Sequence, residues 1–233
     1  MATNQLTKAL KRKAEERKLY PIVRQWLTTR FSCFTTASDK GLAFSRIDVV
    51  GIRDVGGDFS GEIETITVEV KRGGYPFAKA CGQTLGYKAY GNRVYLADVR
   101  KGGFNDDELH IASHLGIGLV AIWKRECTEV LSSPFYQPIT KLNLALLYRL
   151  RLARCQFCGS YFQTGTAEKR RGNITRRNIL SAAESDKGLV FFNVELAERK
   201  LDIGMRLSME GRNFERRFIC PTCVRLLAQL SKL

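Results

Sequence analysis

Ile63-Glu64-Thr65-Ile66-Thr67-Val68-Glu69-Val70-Lys71 alternates with a period of two and is rich in β-branched residues, so it reads as a β-strand. Ile63, Thr65, Thr67, Glu69 and Lys71 fall on one face, and Glu64, Ile66, Val68 and Val70 on the other. The second face is apolar enough to demand a packed layer beneath it. The first ends in a carboxylate and a lysine two positions apart, which puts their side chains next to each other. Gly73-Gly74-Tyr75-Pro76 then breaks the strand.

Upstream, residues 3–19 are rich in Lys, Arg, Glu and Ala and read as a charged helix, and Pro21 suits the start of a second one carrying Ile22, Val23, Trp26 and Leu27. A polar loop then leads to residues 42–53, which read as a strand closed by the turn at Gly56-Gly57-Asp58. Downstream, residues 77–90 read as a helix, 94–99 as a strand, 105–115 as a helix, 117–123 as an apolar strand and 129–131 as a short edge. This order predicts an α/β fold with a mixed central sheet flanked by helices. Pro134 and Pro138 mark a boundary, giving a first domain over residues 1–135, a connecting helix over 136–153 and a small module over 154–233.

Asp48 interrupts the apolar run Arg46-Ile47-Asp48-Val49-Val50, one strand before Glu69-Val70-Lys71. Carboxylates on neighbouring strands can hold a hard divalent cation, which polarises a phosphodiester and activates water. The carbonyl of Val70 is a further candidate ligand, and the ammonium of Lys71 can orient the water or balance charge on the phosphoryl oxygens.

Asp48 followed by Glu69-Val70-Lys71 at the end of an apolar strand, with a helix after it, resembles the PD-(D/E)XK or restriction-endonuclease-like nuclease superfamily. Gln83-Thr84-Leu85-Gly86-Tyr87 in that helix is similar to the Gln-x-x-x-Tyr motif of its RecB-like and Mrr-like branch. The resemblance implies a restriction-endonuclease-like core, catalytic Mg²⁺ or Mn²⁺ on Asp48 and Glu69, and Gln83 and Tyr87 as supporting contacts. It also implies a third acid on the first helix, for which Glu15 and Glu16 are candidates and Glu16 is preferred. Ile47 stands where the family name has a proline.

Other acids have ordinary explanations. Asp54 and Asp58 lie in a glycine-rich turn, and Asp106, Asp107 and Glu108 sit where acids cap a helix start. His110 and His114 lie one turn apart with no acidic or cysteine partner nearby in sequence.

Cys155-Gln156-Phe157-Cys158-Gly159 and Cys220-Pro221-Thr222-Cys223 are two Cys-x-x-Cys pairs, the spacing at which two thiolates reach one ion. A closed four-cysteine site is structural, so Zn²⁺ with no chemistry of its own is expected there. The stretch from 159 to 219 is too long for a compact zinc ribbon and must have structure of its own. Its Lys169-Arg170-Arg171, Arg176-Arg177, Phe191, Phe192, Phe214 and Phe218 suit phosphate contact and base stacking, and equally a solvated surface over a small core.

The 233 residues carry a formal charge of +15, with 44% hydrophobic and 26% charged residues. A polyanion is therefore the expected partner, DNA first. No apolar run is long enough to cross a bilayer and no signal-peptide core is present, so a cytoplasmic location without membrane contact is expected. The expected function is a metal-dependent DNA endonuclease, and a homodimer fits the cutting of two strands. The rival is a nucleic-acid-binding or scaffold protein on the same fold without catalysis.

Overall fold

A computed structural model describes residues 13–41, 46–56, 62–171, 174–193 and 215–230. The chain forms two compact units, Met1–Val55 with Ile63–Asn143 and Gly56–Glu62 with Leu144–Leu233.

The first unit is a mixed α/β structure around a six-stranded sheet in the order β1-β2-β3-β4-β5-β6. Its elements run helix α1 (Tyr20–Phe31), β1 (Thr35–Gly41), β2 (Arg46–Asp54), β3 (Ile63–Lys71), α2 (Phe77–Gly86), a 3-10 turn (Tyr87–Ala89), β4 (Arg93–Val99), α3 (Asp106–Leu115), β5 (Gly118–Trp123) and β6 (Glu126–Leu131). Strands β1 to β3 are antiparallel, β3 to β5 parallel through the α2 and α3 crossovers, and β6 returns antiparallel. Residues 13–17 are helical ahead of α1. The rest of the helix expected over 3–19 and part of the strand expected over 42–53 lie outside the described residues.

Two expectations are corrected. The polar stretch 35–41 is not a loop but the edge strand β1, paired from Thr35↔Ile52 to Gly41↔Arg46. Its composition gives no strand signal because an edge strand takes its conformation from the ladder of its neighbour. The helix expected to run to residue 153 covers Thr140–Arg149 (α4), after which Arg151 adopts a positive φ of 62° and the chain enters β7 (Leu152–Arg154).

One core layer of this unit lies between α1 and a face of the sheet. Tyr20, Val23, Trp26, Leu27 and Phe31 pack on Val49, Ile66, Val68, Val70, Tyr95, Ala97, Val120 and Ile122. Trp26 meets Phe31 and Tyr95 edge-on, with ring centroids 5.4 and 5.3 Å away. Full burial of one such aliphatic side chain contributes about 1.5–3 kcal/mol. Gly51 permits the close approach of α1, since a Cβ there would stand 2.7 Å from Cys33 Sγ and 3.1 Å from Leu27 Cδ1. Glu64, at the other end of β3, is buried on this face between the guanidinium groups of Arg53 and Arg93.

In the second unit, β7 pairs with β8 (Tyr161–Gln163), and β9 (Ala167–Arg171), β10 (Gly188–Asn193) and β11 (Glu215–Ile219) form a three-stranded sheet in the order β11-β10-β9. Helices α5 (Arg176–Glu184) and α6 (Pro221–Leu230) contribute Ala182 and Val224 to a core with Leu189, Phe191 and Ile219. The long segment between the cysteine pairs thus has structure of its own, and β11 is the strand that returns the chain to Cys220.

Candidate active site

The end of the sheet where β2 begins and β3 finishes gathers a set of buried charges. The register of β2 on β3 runs to Val49↔Val68, so Asp48 and Glu69 are the next residues on the two adjacent strands. Asp48 is 0% and Glu69 4% exposed. Burial of this kind is costly for a carboxylate unless each oxygen finds a donor. Asp48 Oδ1 accepts from Lys13 Nζ at 2.5 Å and from the Tyr20 hydroxyl at 2.7 Å, while Oδ2 accepts the Val70 amide at 3.0 Å. Glu69 Oε1 accepts from Lys71 Nζ at 2.5 Å, and Oε2 accepts from the Tyr87 hydroxyl. The Tyr87 hydroxyl proton also faces the carbonyl oxygen of Arg46 at 2.7 Å, tying the 3-10 turn after α2 to the start of β2.

Glu16 is buried beside this pair, with Lys13 Nζ 3.9 Å from its Oε2. The structure therefore separates the two candidates on the first helix: Glu16 faces the cluster, and Glu15 pairs outward with Lys18. Lys13, Glu16 and Tyr20 succeed one another at helical spacing, so the chain leading into α1 presents them together.

Electrostatic effects in the cluster follow from its dryness. Burial, then repulsion from Asp48, raises the Glu69 carboxyl above its ordinary range, against the attraction of Lys71. Burial pulls Lys71 down, but the field of Glu69, helped by Glu16 and Asp48, outweighs it and leaves the amine raised. Burial first and then the nearby carboxylates push the Tyr20 and Tyr87 phenols up, so both stay protonated and act as donors. Lys71 also lies over the Tyr75 ring, 4.7 Å from its centroid.

Of the residues singled out in the sequence, Asp48, Glu69, Lys71, Tyr87 and Glu16 converge, and at Val70 it is the amide, not the carbonyl, that is seen to join them. Gln83 does not. Ala80, Thr84 and Tyr87 form the buried stripe of the helix and its 3-10 extension, while Gln83 lies beside that stripe, exposed, and outside the hydrogen bonds of the cluster. Lys13, Tyr20 and Tyr75 were missed. The helical spacing of Lys13 and Tyr20 about Glu16 was the available signal for the first two.

The remaining acids have structural work. Asp98, 3% exposed, accepts the Gly73 amide at 2.7 Å and pairs with Arg100 at 2.8 Å, which fixes the turn after β3. Glu108 completes a capping box with Asn105 at the start of α3. His110 and His114 are exposed on α3. Asp58 lies outside the described residues.

In the second unit, Cys155, Cys158, Cys220 and Cys223 have their Sγ atoms all within 4.8 Å of one another. Cys155 and Cys158 sit in the turn between β7 and β8, where Gly159 takes a φ of 77° and its amide reaches the Cys155 carbonyl at 3.1 Å. Cys220 follows β11 and Cys223 lies in the first turn of α6, its amide 3.4 Å from Cys220 Sγ. Cys155 Sγ accepts the Cys220 amide at 3.3 Å. Amide donors of this kind stabilise thiolates, so the quartet can bind a metal ion. Among the described residues it is the one group of three or more cysteine, histidine or acidic ligands drawn this close. The buried acids of the first unit instead have protein ammonium and hydroxyl groups on their oxygens.

No family model and no curated protein matches the sequence. Among solved structures, a Silicibacter pomeroyi protein of unknown function, SPO1766, is similar at 20% identity and a TM-score of 0.42, over 58% of this chain and 82% of that one. Among the described residues, no helix is long and apolar enough to cross a membrane.

Proposed function

We propose that the first unit is a metal-dependent DNA endonuclease of the PD-(D/E)XK type, and that the second carries a structural Zn²⁺ on its four cysteines. The convergence of Asp48, Glu69 and Lys71 at one end of the sheet carries this reading: two buried carboxylates on adjacent strands, with an ammonium 2.5 Å from the second. Hard carboxylate oxygens, with Glu16 beside them, are the donor set that Mg²⁺ or Mn²⁺ takes.

When bound, the cation supplies Lewis-acid polarisation of the phosphate and a more acidic water. Asp48 and Glu69 would hold it, and Tyr20 and Tyr87 fix the orientation of those two carboxylates from behind, by one hydrogen bond each. Lys71, placed by Glu69 and the Tyr75 ring, offers its remaining N–H groups to the attacking water or to a non-bridging phosphoryl oxygen. The formal charge of +15 supports a nucleic-acid substrate, since neutralised phosphates release counterions.

The test is incubation of the zinc-loaded protein with covalently closed duplex and single-stranded DNA circles, in Mg²⁺ or in EDTA. Mg²⁺-dependent opening of circles by the wild type, lost in Glu69→Gln and Lys71→Met, is expected. Binding of DNA without cleavage in any metal would replace the enzyme with a binding protein on this fold.

A further inference from the structure

Lys13 is the protein cation that lies on Asp48 and Glu16. Its Nζ is 2.5 Å from Asp48 Oδ1 and 3.9 Å from Glu16 Oε2, and it lies 5.8 Å from the centroid of the Tyr20 ring, the same tyrosine that donates to Asp48. The carboxylates it serves are 1% and 5% exposed at the side chain, but Lys13 itself is 36% exposed. Its ammonium is thus the mobile member of a buried set: a flexible stem reaches in from the surface and can withdraw without opening the core.

Charge balance gives this arrangement a consequence. Glu16, Asp48 and Glu69 carry three negative charges when ionised, and Lys13 and Lys71 supply two positive ones. One negative charge is left over in a region where charges interact strongly. Exchange of the Lys13 ammonium for a divalent ion makes the set neutral. Lys71 cannot serve as the exchanged group, because it is 5% exposed at the side chain and is held between Glu69 and Tyr75.

We infer that Lys13 is a built-in counter-ion that guards the metal position and must be displaced when the divalent cation binds, so that it sets the metal affinity of the site. This rests on the metal-binding reading of Asp48 and Glu69. Lys13 stabilises the metal-free protein by holding its acids together, and the same contact competes with the metal.

The test is titration of zinc-loaded protein with Mn²⁺ by calorimetry, alongside thermal unfolding in EDTA and in Mn²⁺, for the wild type, Lys13→Met, Lys13→Gln and Glu69→Gln. Mn²⁺ is expected to bind both Lys13 variants about tenfold more tightly than the wild type, about one unit charge's competition removed. Both variants should melt below the wild type in EDTA and gain more from Mn²⁺ than it does. Glu69→Gln should bind no Mn²⁺ at this site. Equal or weaker Mn²⁺ binding by both Lys13 variants, with binding still abolished by Glu69→Gln, overturns the counter-ion role and leaves the metal site standing. Absence of Mn²⁺ binding in the wild type and both Lys13 variants overturns the metal site and this inference with it.

Discussion

The two ligand clusters solve the problem of concentrated negative charge in opposite ways. In the second unit four sulfur atoms are drawn within 4.8 Å of one another, with amides as their main protein donors. One metal ion could neutralise such a cluster of soft ligands, and a metal bound there would become part of the fold. In the first unit each buried carboxylate already has a protein cation or hydroxyl on it, from Lys13 and Tyr20 on Asp48 to Lys71 and Tyr87 on Glu69. That cluster can exist without metal and can exchange one positive group for another. A closed soft site suits a structural ion, and a hard site partly neutralised by its own lysines suits an exchangeable one.

The largest effect expected from breaking this contrast is in the second unit. Cys220→Ser, or removal of the metal by a strong chelator, should unfold the β9–β11 and α5–α6 region, since structural zinc sites contribute about 10–16 kcal/mol of binding free energy to folding. Circular dichroism and zinc release followed by a colorimetric chelator would show it, with the first unit's melting transition retained. Next, Glu69→Gln should lower DNA cleavage about 10³-fold or more, about 4 kcal/mol of barrier, while the protein stays folded.

Glu64→Gln probes whether burial alone distinguishes the site. This carboxylate lies in the same strand, is as buried as Glu69, and is held by two arginines. Its loss leaves two guanidinium groups without their shared partner and should cost about 3 kcal/mol of stability, measured by denaturant unfolding, with metal-dependent cleavage unchanged per folded molecule. Tyr87→Phe removes one donor from Glu69 and should reduce cleavage about tenfold with little change in melting. Gln83→Ala, on the exposed flank of the same helix, should change stability by less than about 0.5 kcal/mol and leave cleavage within about twofold. A Gln83→Ala enzyme as impaired as Tyr87→Phe would show that the exposed glutamine meets the substrate.

Much of the first unit was legible because its signals are local. The alternation of residues 63–71, the apolar stretches at β4 and β5 and the capping residues of α3 all act within a few positions. Edge strand β1 was not, since Thr35–Gly41 has no apolar face and is extended only because β2 offers it a ladder. The same limit applied at the site. Periodicity offered Gln83 and Tyr87 as equals, but α2 ends at Gly86 with its packed stripe through Ala80, Thr84 and Tyr87.

By itself the sequence determined what covalent spacing can determine. Glu69 and Lys71 had to be neighbours on a strand face, and each Cys-x-x-Cys pair had to bring two sulfurs to one point. Which helix acid faces the pair, which ammonium sits on Asp48, and how the return of β11 brings Cys220 and Cys223 to Cys155 and Cys158 were decided by the tertiary structure alone. Those are meetings of groups far apart in the chain, and only the packing of α1 on the sheet and the ladder of β10 on β11 bring them within hydrogen-bonding or ligand distance.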